Sequence, residues 1–207
     1  MSIFKSIKFE LLILALITLS IFVFFNLDLF FYNYFINFSE WVNGDFLKEF
    51  FSEITKLGSS SWYFSITIIC FVVFYINNKL QIIKTKSAKN LSYFFISSFV
   101  YILTVGIITQ IIKHVVGRPR PNDTDFEDVF SFKYFTMESN FHSFPSGHSS
   151  TIFIICFILV SVLPKLKYFF YFLASIVAFS RVIVSAHFFT DIVCLLYTSD
   201  AADDLLC

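Results

Sequence analysis

Charge is scarce in this 207-residue sequence: Asp, Glu, Lys and Arg make up 14% of it, well under the quarter usual in a soluble domain. Fifteen basic residues offset fifteen acidic ones, so no net field favours nucleic acid or another highly charged partner. Gly and Pro are also few, five and four, and no run of them or of Ser is long enough to be a linker, so one domain is expected. The four cysteines, Cys70, Cys156, Cys194 and Cys207, form neither a disulfide framework nor a zinc spacing. Cys70 and Cys156 lie inside apolar runs, where a thiol acts as a small hydrophobe. What abounds is apolar surface: 57% hydrophobic and 21% aromatic residues, with a mean hydropathy of +0.76. That composition belongs to a membrane protein.

A bilayer core asks for about 20 helical apolar residues, and five such segments occur, at about Phe9–Phe25, Trp62–Ile76, Leu91–Ile112, Ser149–Leu163 and Tyr168–Val184. Lys5 and Lys8 precede the first, which also suits a signal peptide, but no small-residue cleavage site follows and an uncleaved span is expected. A sixth begins at Phe188 and reaches only Tyr197 before a tail with three carboxylates, too short to cross and costly at membrane depth. The expected organisation is an all-α integral membrane bundle of nominally six spans with the sixth cut short: a domain over 1–196 and a foreign or truncated tail over 197–207. Residues 26–61 mix aromatics with Asp28, Glu40, Asp45, Glu49 and Glu53, the pattern of an amphipathic segment on the membrane surface or of a plain loop. The link 77–90 carries Lys79, Lys84, Lys86 and Lys89 without an acid, so the positive-inside rule makes it cytoplasmic. On the same rule the cytoplasmic ends sum to +7, the outer side to −4 and the tail to −3.

The three arginines, Arg118, Arg120 and Arg181, and the four histidines, His114, His142, His148 and His187, all fall on the expected outer side. Three patterns organise them: Lys113 followed after six residues by Arg120-Pro121; Pro145-Ser146-Gly147-His148; and Ser180-Arg181, five residues, His187, three residues, Asp191. In order and spacing these resemble the signature of the type 2 phosphatidic acid phosphatase (PAP2) family, whose phosphate site is shared with vanadium haloperoxidases. One block alone would be weak; eleven specified positions in three ordered blocks are strong.

The residue types suit phosphoryl transfer, which needs positive charge around the phosphoryl oxygens and a positioned nucleophile. Lys113, Arg120 and Arg181 supply the clamp, although a cation at a span end also snorkels to the interface. Ser146 and Gly147 precede a helix, whose free amides and dipole bind anions, although Pro and Gly also simply mark turns. His187 and Asp191, four apart, would share one helix face, leaving His187 unprotonated on its other nitrogen as nucleophile; His148 would protonate the leaving alkoxide. The family assigns matching positions the same roles and implies no metal or other cofactor. His114 and His142 read as structural, Arg118 as a rival of Arg120 or an aid to substrate binding, and the Asp123, Asp125, Glu127, Asp128 cluster as a solvated loop.

The resemblance implies a metal-independent lipid phosphatase acting through phosphohistidine. Its site would face the periplasm or exterior of the cell (inner) membrane, and it would need no obligatory protein partner. Candidate substrates are phosphatidic acid, phosphatidylglycerol phosphate, undecaprenyl pyrophosphate and the phosphates of lipid A. Selectivity would lie in the aromatic loop Phe130–Phe144. A lipid phosphotransferase and a non-catalytic membrane protein or transporter remain as alternatives.

Overall fold

The computed structural model describes residues 22, 25–36, 44–80, 86–123 and 131–193. Among them every regular element is helical, and the one β-type pairing is a parallel bridge between Arg118 and His142. This all-α outcome is what lipid demands, since each spanning segment must satisfy its own backbone. In order the helices are α1 (25–36), α2 (Gly44–Thr55), α3 (Ser60–Leu80), α4 (Lys86–Val116), α5 (Gly147–Val162) and α6 (Lys167–Ile183). A further helix, α7, starts at residue 189 and is described to 193.

Helices α3 to α6 coincide with the second to fifth expected spans. The stretches Gly44–Leu80, Lys89–Val116 and Pro164–Ile183 are long and apolar enough to cross a membrane by length and composition. The 16 residues of α5 reach only about 24 Å, less than the hydrocarbon thickness. On α3 and α4 the apolar side chains Trp62, Ile69, Val73, Ile107 and Ile111 are each more than half exposed, a surface that suits lipid and not water. The chain is a multi-pass membrane protein. The first expected span lies almost wholly outside the described residues, as does everything after Val193, including Cys194 and Cys207.

The core sits between α5 and α6, where Ile152, Phe153 and Cys156 meet Ala174, Val177 and Ala178. Ala174 and Val177 are fully buried; their small side chains let the two helices approach closely. Phe31 and Phe35 of α1 close one side, with Phe31 edge-on to Phe179 at 5.6 Å and tilted on Phe189 at 4.8 Å, a spacing that adds to plain area burial. Leu47, Phe51 and Ile54 of α2 pack on the same cluster at helical spacing while Phe46 and Phe50 stay exposed, so α2 is amphipathic as its sequence suggests. The expectation of a single surface segment or loop over 26–61 is corrected for α1. This helix continues through the expected exit at Asn26 and Asp28 is fully buried, because its carboxylate has a charged partner inside.

The connectivity brings the C-termini of α4 and α6, the N-termini of α5 and α7, and the α2–α3 turn to one end of the bundle. The C-terminus of α3, the N-terminus of α4 and the Pro164–Leu166 turn before α6 lie at the other.

Candidate active site

Helix α4 ends because Gly117 adopts φ +57°, the left-handed conformation that closes helices and that Gly enters without a Cβ penalty. Its carbonyl accepts from Lys133 N at 2.8 Å, and a Cβ there would stand 1.7 Å from the Lys133 carbonyl oxygen. Beyond it the chain runs beside residues 140–143: Ser143 N donates to Arg118 O at 3.0 Å and Arg120 N to Asn140 O at 2.9 Å. Both arginines are thereby fixed relative to the α5 N-terminus.

Lys113 is buried, donates Nζ to His142 O at 2.6 Å, and lies with Cε 3.9 Å from where a Cβ on Gly147 would be. Arg181, at the end of α6, donates NH1 to Thr55 Oγ1 at 3.0 Å. Neither Lys113, Arg120 nor Arg181 has a carboxylate within salt-bridge reach among the described residues. The Nε–H groups of Arg120 and Arg181, like that of Arg118, are buried with no acceptor among those residues, a costly condition for a charged donor.

Ser146 is fully buried and caps α5: its hydroxyl accepts from Ser149 N at 3.4 Å and Ser149 Oγ at 2.9 Å, and its N–H donates to Asp191 O at 3.1 Å. What it offers an anion is therefore the position of the following amides, since those of Gly147 and His148 have no carbonyl one turn earlier in the helix to bond. His148 precedes the apolar part of α5. Burial, then Arg181, Lys113 and Arg120, push it down to about 4, so all three cations act on this imidazole and it is neutral in the free site.

His187 and Asp191 do not share a helix face. His187 lies in the turn after α6, its N–H donating to Arg181 O at 3.2 Å, and Asp191 lies in the first turn of α7. The carboxylate reaches back to accept Phe188 N at 2.9 Å, the N3-to-N-cap half of a capping box. Its Oδ2 also accepts from Ser143 Oγ at 2.5 Å and stands 3.6 Å from His187 Nδ1, longer than a hydrogen bond but a separation that substrate-bound sites tighten. His187 is buried, and burial pushes it down to about 4 against the opposing pull of Asp191. It is neutral at ordinary pH, with Nδ1 turned to Ser143 and Asp191.

The structure thus brings together Lys113, Arg120, Arg181, Ser146, Gly147, His148, His187 and Asp191. Arg118 is corrected: it is 3% exposed and bonded by NH1 to Asp191 Oδ1 at 2.6 Å and by NH2 to Asp28 Oδ2 at 2.7 Å, so it holds protein carboxylates and is not free for substrate. His114 and His142 bond backbone carbonyls, of Gln110 at 2.7 Å and Thr136 at 3.1 Å. Sequence reasoning missed Asp28, Thr55, Gly58 and Ser143. Asp28 alone carried a signal, a lone acid directly after an apolar span.

A family model described as the PAP2 superfamily matches residues 94–197. Lipid A 1-phosphatases of Rhizobium etli and Rhizobium johnstonii are each 29% identical over 149 residues, 71% of this chain but 64% and 61% of their own lengths. The chain therefore spans just under two thirds of these relatives. A PAP2-type phosphatidylglycerolphosphate phosphatase from Bacillus subtilis, known from a crystal structure, aligns at a TM-score of 0.49 and 24% identity over 78% of this chain and 79% of its own.

Proposed function

The chain belongs to the PAP2 superfamily, and on that premise we propose that it hydrolyses a phosphomonoester or pyrophosphate of a membrane lipid through a phosphohistidine, without metal. The observation that carries the reading is the cation cluster. Lys113, Arg120 and Arg181 act on one another and on His148, with two buried guanidinium donors left over, and a phosphoryl group supplies the oxygens that such a clamp fits.

In this mechanism His187, whose Nδ1 faces Ser143 and Asp191, attacks phosphorus through Nε2 as the bond to the lipid oxygen breaks, and His148 gives that oxygen its proton. Water then attacks the phosphohistidine, His148 recovers a proton, and inorganic phosphate leaves. The dianionic phosphate would offset the part of the His148 depression that the three cations add to burial, so substrate binding favours the proton that the leaving group needs.

The substrate is a lipid because the site lies where helices end, at headgroup level. Lys79 and Lys89 at the opposite end of the bundle support, by the positive-inside rule, a site on the periplasmic or exterior side. The two lipid A 1-phosphatases, each 29% identical, favour lipid A phosphates among the four candidates. Phe135 and Met137, 81% and 84% exposed beside the site, are where the lipid body would be selected.

The test is phosphate release by the purified chain in detergent, across the candidate lipids, with chelator present. Activity that persists in chelator and falls by at least about 10³-fold in His187→Ala, the scale for loss of a nucleophile, supports the mechanism. Chelator-sensitive turnover, or turnover surviving His187→Ala, overturns it, and a phosphorylated acceptor in place of free phosphate would make the chain a phosphotransferase.

A further inference from the structure

Asp191 has two oxygens and two environments. Oδ2 faces Ser143, Phe188 N and His187; Oδ1 is held by Arg118 NH1. The same Arg118 nitrogen donates to Thr190 Oγ1 at 2.6 Å, and the other terminal nitrogen to Asp28. Asp28 in turn accepts from Thr190 N at 2.7 Å and Thr190 Oγ1 at 2.5 Å. The guanidinium carbon sits 4.2 Å from the centre of the Phe188 ring, and Asp28 and Asp191 are fully buried. Both terminal nitrogens of this fork are therefore held by α1 on one side and α7 on the other, and neither is bonded to the phosphate clamp.

The charge arrangement gives that geometry a purpose. Arg118 alone on Asp191 would neutralise the carboxylate beside the nucleophile. Shared with Asp28, the guanidinium leaves one net negative charge on the trio, which favours the positive imidazole that forms when His187 attacks phosphorus. The bond from Arg118 NH1 to Oδ1 also fixes Oδ2 as the carboxylate oxygen turned toward His187. Asp28 lies outside residues 94–197 matched by the family model, so the first described helix contributes to the site.

We propose that Asp28 and Arg118 are positioning residues for the His187–Asp191 pair, α1 supplying the carboxylate that holds the Arg118 fork and, through it, the orientation of Asp191. This rests on the phosphohistidine reading for its kinetic consequence but not for its structural one.

Asp28→Asn keeps size and an acceptor for Thr190 N while removing the charge. In the full chain in detergent it is expected to lower kcat about tenfold or more, the scale seen when a partner of an active-site ligand is lost, with KM changed less than twofold because Lys113, Arg120 and Arg181 are untouched. Nitrogen NMR of the labelled imidazoles should show His187 as one neutral tautomer in the wild type and as a mixture in Asp28→Asn. Arg118→Met with Asp28→Leu replaces the pair by apolar groups of similar volume, which buried ion pairs often tolerate. If the pair merely ties α1 to the bundle, this double variant, folded by thermal unfolding, regains wild-type kcat and the proposal is overturned; a folded double variant with kcat still depressed and a mixed tautomer supports it. An unchanged tautomer and kcat in Asp28→Asn likewise overturns it while an active wild type leaves the phosphatase reading standing. A tautomer change in a chain whose wild type releases no phosphate would uphold the coupling and sink that reading instead.

Discussion

Gly58→Ala tests the site from a residue that touches no substrate. The Lys56–Gly58 turn packs beneath the start of α5, and a Cβ on Gly58 would lie 2.8 Å from the His148 carbonyl oxygen, 2.9 Å from His148 Cβ and 3.1 Å from its carbonyl carbon. Carbon contacts are comfortable from about 3.5 Å, so the two segments must separate by roughly 0.5–1 Å. No rotamer change relieves this, since two of the three opposing atoms are backbone and the third is a Cβ. The expected cost is about 1–3 kcal/mol of stability, as for other overpacked sites. The kinetic cost is larger in kind, because a 1 Å displacement of a catalytic group loses on the order of 10²-fold; a fall in kcat of roughly 10- to 100-fold is expected. The displaced group is the proposed acid, so the loss should shrink for p-nitrophenyl phosphate, whose leaving group needs no proton. Gly106→Ala is the control: its Cβ would meet nothing within 4 Å. Phosphate release and thermal unfolding measured on both variants decide the matter, and a folded Gly58→Ala chain with wild-type kcat on the lipid substrate would refute the reasoning.

With His187 held at about 4 by burial, the unfolded chain takes up its proton near 6.5 and the folded one only near 4. Stability should therefore fall as pH drops between those values, by about 2 kcal/mol from pH 7 to pH 5 for this group alone, read as a lower unfolding temperature at pH 5; no change would contradict the burial of His187. Gly117→Ala combines a positive φ with a Cβ 1.7 Å from the Lys133 carbonyl and should cost more than about 3 kcal/mol, near the upper end for single substitutions, measured by chemical or thermal unfolding in detergent.

Some of this was legible in the chain and some was not, for reasons that differ by residue. The second to fifth spans are legible because lipid leaves a long apolar segment no option but a helix. The Ser146 cap and the close of α4 at Gly117 are local, and local chemistry is written in neighbouring residues. Lys113, Arg120 and Arg181 were legible by motif spacing, and the tertiary structure adds that no carboxylate among the described residues stands within salt-bridge distance of them. The shared helix face of His187 and Asp191 was misjudged because spacing of four fits both a helix and a turn leading into one; the capping bond from Asp191 to Phe188 N selects the turn.

What the sequence by itself determined is the class, a helical membrane protein with cations and histidines gathered at one end, because hydropathy and charge sorting act over contiguous residues. What only the tertiary structure decided is who faces whom. Arg118 and Arg120 are two residues apart and look interchangeable in sequence, yet one is claimed by Asp28 and Asp191 and the other has no carboxylate within salt-bridge reach among the described residues. Asp28 and Asp191 lie 163 positions apart, and no local pattern records a pairing that exists only because α1 and α7 close on the same guanidinium.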